Sequence, residues 1–288
     1  MATVYIQPGS GTGTGTEADP YYFSSQLTTA DTAAGSGGTI LFTDGNYNPA
    51  GTANLFFTAE NVTYKSLNPK GAYFDYTPSA GGLTPAIRVG WSGTSSGTAT
   101  DGITFSGFYL KNHRLEMNTT SGTTNYATLD NVHVFDTVYT IHTNIGGIGR
   151  SYYNGTTTGD TFVKVKNSTF VSLLSASADG VAYPDSRWTF DSCSFYWSKS
   201  TGTPSVSGMN RTANLKNCIF VGDSTQTWSS SPSNTLISNS TNCCIYDLDH
   251  TSTGGTDNIF VDPQFVDLDS GDFRLRSTSP CIGAGTAS

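Results

Sequence analysis

The segments VKVKNSTF (163–170), WTFDSCSF (188–195) and ANLKNCIF (213–220) follow one another at an even interval, and they keep a polarity pattern while changing most of their letters. The residue ahead of the cysteine-like position serves as an anchor. Asn167, Ser192, Asn217 and Asn242 repeat at that same interval. Upstream, Asn131 takes the anchor in ATLDNVHV, and the wider gap from it to Asn167 reads as one period plus an insertion. Gly107 takes it in ITFSGFYL, one period before Asn131. ENVTYKS places Asn61 there, and the distance from it to Gly107 reads as two slightly short periods.

The columns of this alignment describe a strand. Two positions before the anchor stand Phe105, Leu129, Val165, Phe190, Leu215 and Ser240. One position after stand Phe108, Val132, Ser168, Cys193, Cys218 and Cys243, and three after stand Leu110, Val134, Phe170, Phe195, Phe220 and Ile245. On each side of the anchor, inward residues alternate with polar ones, which is the period of two of a β-strand. Across the anchor the phase slips by one. A single bend residue between two short strands does this, and Asn and Gly tolerate the left-handed backbone such a bend needs.

A short strand of this kind cannot bury its apolar face alone, whereas stacked copies can, with like residue above like at the strand spacing of about 4.8 Å. The expected fold is therefore all-β: a right-handed parallel β-helix of roughly nine or ten coils. It forms one domain over residues 1–288, with a cap and first strands at 1–48, coils at 49–257 and a closing segment at 258–288. Phe170, Phe195 and Phe220 are expected to form an aromatic stack, and Cys193, Cys218 and Cys243 a small buried one that fills space. Asp130, Lys166, Asp191 and Lys216, just before successive anchors, suit a surface ladder of alternating charge. DPYYFSSQLTTADTAA (19–34) carries Phe23, Leu27 and Ala30 at helical spacing and predicts a short helix plugging the open end of the core.

Composition agrees and narrows the function. Of the 288 residues 12% are charged, and the net charge is −8. No basic run is present to neutralise phosphate, which argues against nucleic acid as a partner. The longest apolar runs are too short to span a membrane as a helix. MATVYIQPGSG has neither a basic n-region nor an apolar h-region, so no secretory signal is read in this chain. The expected setting is extracellular or the surface of a virion. The five cysteines include no C-x-x-C pair, and the histidines complete no zinc pattern.

The opening VYIQPGSGTGTG…GGTILFTDGNY and the closing DPQFVD…GDFRL…SPCIGAG resemble the two ends of right-handed parallel β-helix proteins of the pectate-lyase-like superfamily. With the coils between them, the likeness covers nearly the whole chain. It implies a long face that meets polysaccharide. The superfamily includes lyases, hydrolases, phage tailspikes and non-catalytic surface proteins, so the fold alone does not choose among them.

The chemistry-bearing residues do not form a hydrolase set. The N-x-D, D-D, G-H-G, R-x-K order of polygalacturonase-like enzymes is missing, and there is no D-D pair. A lyase needs a base and a cation to take a proton beside a uronate carboxyl. The richest cluster is LKNHRLEMN (110–118), with Lys111, His113, Arg114 and Glu116, followed one coil later by TVYTIHTNIGGIGRSYYNG (137–155), with His142, Arg150, Tyr152 and Tyr153. The repeat places these two polar loops side by side. If the protein is a lyase, His113, Arg114, His142, Arg150 and Tyr152 are its candidate catalytic residues. If it binds glycan without catalysis, Tyr109, His133, Tyr152, Tyr153, Trp197 and Trp228 are the candidate platforms, because aromatic faces stack on sugars. Trp91 is a further platform, whereas Trp188 falls in an inward column. DLDSGD (267–272) has an oxygen-rich look but lacks the bidentate Glu of a calcium loop. It reads first as a source of turn hydrogen bonds, with calcium near Asp267, Asp269 and Asp272 as the alternative; no other cofactor or metal is expected.

The reading favoured by the sequence is a glycan-engaging, phage-like tail or capsid decoration protein without strong catalysis. Its expected partners are polysaccharide, other virion proteins and further copies of itself as a trimer. The alternative is a polysaccharide lyase acting by β-elimination.

Overall fold

The computed structural model describes residues 1–47, 55–75, 86–89, 102–111, 113–117, 125–135, 161–172, 188–197, 214–222, 240–247, 255–268 and 271–286. The chain is a right-handed parallel β-helix. Its first sheet has ten strands and its second has eight. A third, of three strands, joins Leu55–Phe57, Ala86–Val89 and Arg114–Met117. Eight coils, from Thr39–Phe42 to Ser240–Thr241, carry a strand in both the first and second sheets. Thr3–Gln7 adds a rung at one end, and the bridges Thr241↔Thr256 and Cys244↔Ile259 add a short rung at the other.

The expected bends are present. Gly107 (φ 78°), Asn131 (54°), Asn167 (52°), Ser192 (56°), Asn217 (54°) and Asn242 (52°) all take the left-handed backbone. Each turns the chain from the first sheet into the second. Their amides also stack from coil to coil: the N–H of Asn131 donates to Lys166 O at 3.0 Å, that of Asn167 to Asp191 O at 3.1 Å, and that of Ser192 to Lys216 O at 3.0 Å. Side-chain amides fit the bends as well, since Asn167 donates to Asp130 Oδ1 and Asn217 to Asp191 Oδ1, both at 3.0 Å.

One anchor is misplaced by the spacing. Tyr64 pairs with Phe105 and Lys65 with Ser106, so the position matching Gly107 is Ser66, and one long coil separates the two where two short ones are expected. Asn61 is left-handed (φ 54°) but belongs to the bend before the strand. It stacks on Gly102, where a Cβ would come within 2.0 Å of Asn61 Oδ1. A left-handed Asn marks either bend of a coil, so its identity alone does not decide which.

Inside the coils the columns stack as expected. Leu129, Val165, Phe190 and Leu215 are register neighbours in the first sheet, and Phe170, Phe195, Phe220 and Ile245 in the second. The rings of Phe170 and Phe195 lie 5.4 Å apart at 21°, and those of Phe195 and Phe220 lie 4.8 Å apart at 2°. Cys193, Cys218 and Cys243 are free thiols buried in the same core. On the surface, Asp130, Lys166, Asp191 and Lys216 share one register line, and Lys166 Nζ meets Asp130 Oδ2 at 3.3 Å.

Helix α1, Phe23–Ala34, covers the first coil with Phe23, Ala30 and Ala34 buried and Leu27 packed against the core. Gly35 (φ 64°) ends it, and its N–H donates to Asp31 O. The other end of the chain departs from a simple end-closing role. After the last rung, Phe265–Asp267 and Asp272–Leu275 form an antiparallel hairpin. This hairpin lies along the outer face of the second sheet: Phe273 packs on Phe135 (6.0 Å between ring centres), Tyr196 (6.2 Å) and Phe265 (5.3 Å). Among the described residues, no helix is long and apolar enough to cross a membrane.

Candidate functional site

The outward columns of the second sheet explain why the hairpin binds there. One column runs Tyr73, Tyr109, His133, Thr169, Ser194, Ile219, Cys244. The next runs Asp75, Lys111, Phe135, Val171, Tyr196, Val221, Tyr246. A column facing only water would be polar, but this second one is apolar from Phe135 onward. Val171 and Val221 are buried, although they point away from the core. The C-terminal segment covers this part and leaves the Asp75–Lys111 end partly open.

At the open end, Lys111 Nζ meets Asp75 Oδ2 at 3.1 Å, with 35% and 28% of the two side chains exposed. Asp75 Oδ1 is buried and has no hydrogen-bond partner among the described residues. The Lys111 ammonium is the carboxylate's ion-pair partner, while Asn46 bonds the Asp75 backbone on both sides. The Tyr109 ring lies 5.1 Å from that of Phe135, and both are half-buried. Burial and the charge of Asp75 push the Tyr109 phenol up, so it stays a neutral donor. Gly271 (φ 79°) lies over Phe135, and a Cβ there would come within 2.8 Å of the ring. Beside it, the exposed Arg274 guanidinium holds the Asp272 carboxyl down to about 2 by hydrogen bonds.

His133 is the register partner of Tyr109, as its spacing requires, but it is 9% exposed. Its Nε2 hydrogen-bonds Asn131 Oδ1 at 2.9 Å. Burial and, secondarily, the positive charge of Lys70 lower its pKa to about 4, so the ring is neutral at pH 7. His113 differs more from the expected exposed loop. It is 2% exposed, holds the Lys111 carbonyl through Nδ1 at 2.8 Å and packs against Phe74 of the core. Burial lowers its pKa too. The chain passes from the second sheet, which it leaves at Lys111, to the third, which it enters at Arg114. That change of wall carries His113 inward while Tyr109 and His133 stay on the outer face. A base so deeply buried is not presented to a polymer.

Arg114 opens the strand Arg114–Met117 and pairs in register with Ala86. The side chains of Arg114, Glu116, Trp188 and Trp197 lie outside the described residues, as do His142, Arg150, Tyr152, Tyr153, Trp91, Trp228 and Asp269 altogether. Within the 267–272 stretch the Gly271 N–H donates to Leu268 O at 3.0 Å, and Asp272 is taken by Arg274. No cluster of three metal-ligating side chains occurs among the described residues.

Asp75, Phe135, Lys70 and the Phe273 hairpin are not singled out by the sequence. A signal for Phe135 is present: the fourth position after the anchor is apolar in coil after coil. Asp75 has none, because it meets Lys111 across a separation of 36 residues that includes a long coil.

No family model matches the chain, and no curated protein matches it either. Among solved structures, the chain is similar to the pectin methylesterase PemA from Erwinia chrysanthemi, with 14% identity, a TM-score of 0.35, and 88% of this chain and 80% of that one covered. Two pectin methylesterase structures in complex with hexasaccharides give TM-scores of 0.33 and 0.34 at the same identity and coverage. The chain is a parallel β-helix by its own strand register. At these levels of likeness no residue role passes to it from those enzymes.

Proposed function

We propose that the protein is a glycan-binding β-helix that contacts its ligand at the open end of the second sheet's outer face. The observation that carries this is the half-exposed Tyr109–Phe135 ring pair bordered by the Lys111–Asp75 ion pair, on a rigid sheet. Rings offer flat apolar area to a sugar, and fixed charges and a neutral phenol offer directional hydrogen bonds to its hydroxyls. Lys111 and Arg274 are paired with Asp75 and Asp272, and Lys70 and Asp267 stand beside them, so charges of both signs border the rings. The setting we favour is outside the cell, on a particle or surface that meets polysaccharide.

We favour binding over cleavage. The two histidines near the patch are buried, and its carboxylates are each taken by a cation, Asp75 by Lys111 and Asp272 by Arg274. Paired-carboxylate hydrolysis needs two facing carboxyl groups.

The test is titration calorimetry against neutral and uronate oligosaccharides, with parallel monitoring of ultraviolet absorbance from unsaturated ends. Binding without new absorbance is expected. Tyr109→Ala should weaken it about tenfold, the equivalent of one lost ring contact, with an unchanged circular dichroism spectrum. Equal affinity in the variant would remove the patch from the reading, and appearance of unsaturated ends would replace it with a lyase.

A further inference from the structure

The five cysteines divide into three and two. Cys193, Cys218 and Cys243 point into the core at 0–1% exposure, where no oxidant reaches them. Cys244 points the other way. It continues the outward column beyond Ile219 and is buried by the returning C-terminal segment, with its Sγ on Val261 O at 3.2 Å. Facing it in that segment is Cys281, which is half-buried, with its N–H donating to Ser279 Oγ at 3.2 Å. Both cysteines line one cleft of about 190 Å³ between sheet and tail. The interaction between the two thiols holds that of Cys281 below its ordinary value and, together with burial, holds that of Cys244 above it.

The tail is held in place on both sides of Cys281. Ser279 Oγ donates to Pro263 O. The Thr286 N–H donates to Asn217 Oδ1 at 2.9 Å, and Asn217 Nδ2 donates back to Thr286 O at 3.0 Å. Asn242 Nδ2 adds a bond to Thr286 Oγ1 at 3.2 Å. Cys281 is therefore presented to Cys244 by ordered structure.

We propose that Cys244 and Cys281 are a redox pair whose disulfide fastens the C-terminal tail to the outer face of the second sheet. The oxidant is a small-molecule disulfide of the glutathione type. The more exposed Cys281, as thiolate, attacks one sulfur of the oxidant and expels a thiolate, leaving a mixed disulfide. Cys244 loses its proton and attacks the Cys281 sulfur, expelling the second thiolate. Two protein thiols are oxidised by two electrons, one disulfide is reduced, and the two protons end on the two released thiols. The inference stands independently of the glycan reading.

The experiment treats the reduced full chain with oxidised glutathione, quenches by acid, and maps the peptides by mass spectrometry without reduction. The expected product is a single cross-link, two hydrogens lighter, between the peptide of Cys281 and that of Cys244, with fragmentation separating Cys244 from Cys243. The melting temperature should rise by roughly 5–10 °C for a loop of this length. Dithiothreitol should reverse the rise, and Cys281→Ser should lack it. Three outcomes overturn the proposal: Cys281 recovered only as a glutathione adduct, a cross-link through another cysteine, or the same rise in Cys281→Ser. The peptide map reads the wild-type chain, so it decides even if the variant folds poorly.

Discussion

The two halves of the solenoid fill the same cross-section differently. In the N-terminal half the core is a three-walled aromatic interlock. Phe23 from the helix meets Tyr47 edge-on at 5.3 Å, Phe57 from the third sheet meets Tyr64 and Phe105, and Phe105 stacks on Phe108 at 4.1 Å. In the C-terminal half the core is a set of vertical ladders, Phe above Phe and Cys above Cys, repeated at constant coil length. Interlocked rings reach across coils, so each depends on several walls. Ladder rings depend mainly on the rung above and the rung below. The first design is harder to deform, and the second is easier to repeat.

Two cavity-forming variants set these designs against each other. Phe105→Ala should cost about 4–5 kcal/mol by urea denaturation, because its cavity is fixed by rings from different walls. Phe220→Ala, near the end of its ladder, should cost about 3 kcal/mol because Phe195 and Ile245 can relax toward the gap. Equal costs would break the distinction.

Acidification should weaken the N-terminal half next. The folded pKa of His133 is depressed to about 4 from 6.5, so its contribution is complete above pH 6.5 and is lost as pH falls toward 4. That is about 3 kcal/mol for a shift of this size. His113 acts with the same sign. Asp31, half-buried beneath Tyr64, has a pKa raised by that burial and opposes them: its contribution falls as pH rises. Denaturation at pH 7.5, 5.5 and 4 should show a slope that His133→Gln reduces. An unchanged slope would place the acid sensitivity elsewhere.

A smaller change should stabilise the ladder half. Ser192 holds the left-handed bend that Asn holds in its neighbours (φ 56°). Ser192→Gly should raise stability by about 1 kcal/mol by relieving that backbone. A loss of stability would mean that the exposed bond from Ser192 Oγ to Asp191 matters more than the strain. The smallest effect belongs to the surface ladder. Lys166→Gln should cost less than about 1 kcal/mol and lose its salt dependence, since the pair with Asp130 is more than a quarter exposed on both sides.

The same contrast explains what can be read in advance. In the ladder half the coils share one length, so Phe170, Phe195, Phe220 and Ile245 are evenly spaced along the chain and like stands on like. Residue spacing there already states the three-dimensional contact. In the N-terminal half Thr39, Thr63, Thr104 and Thr128 stand above one another, and the middle coil, from Thr63 to Thr104, is far longer than the coils on either side of it. There, rings from different walls meet across coils, and no period survives. That is why spacing assigns Asn61 to the wrong bend. The candidate site is partly legible. Tyr109 and His133 are placed side by side by spacing alone, whereas Asp75, Phe135 and Phe273 are joined only through a long coil and a returning tail.

The repeating unit, the left-handed bends, the inward columns and the helical cap are written in the order of residues, because each follows from local backbone preference and short-range periodicity. The inward turn of His113, the course of the C-terminal hairpin along the second sheet and the approach of Cys281 to Cys244 come from the folded chain alone. Those depend on how far the chain travels before it comes back, and no local preference records that distance.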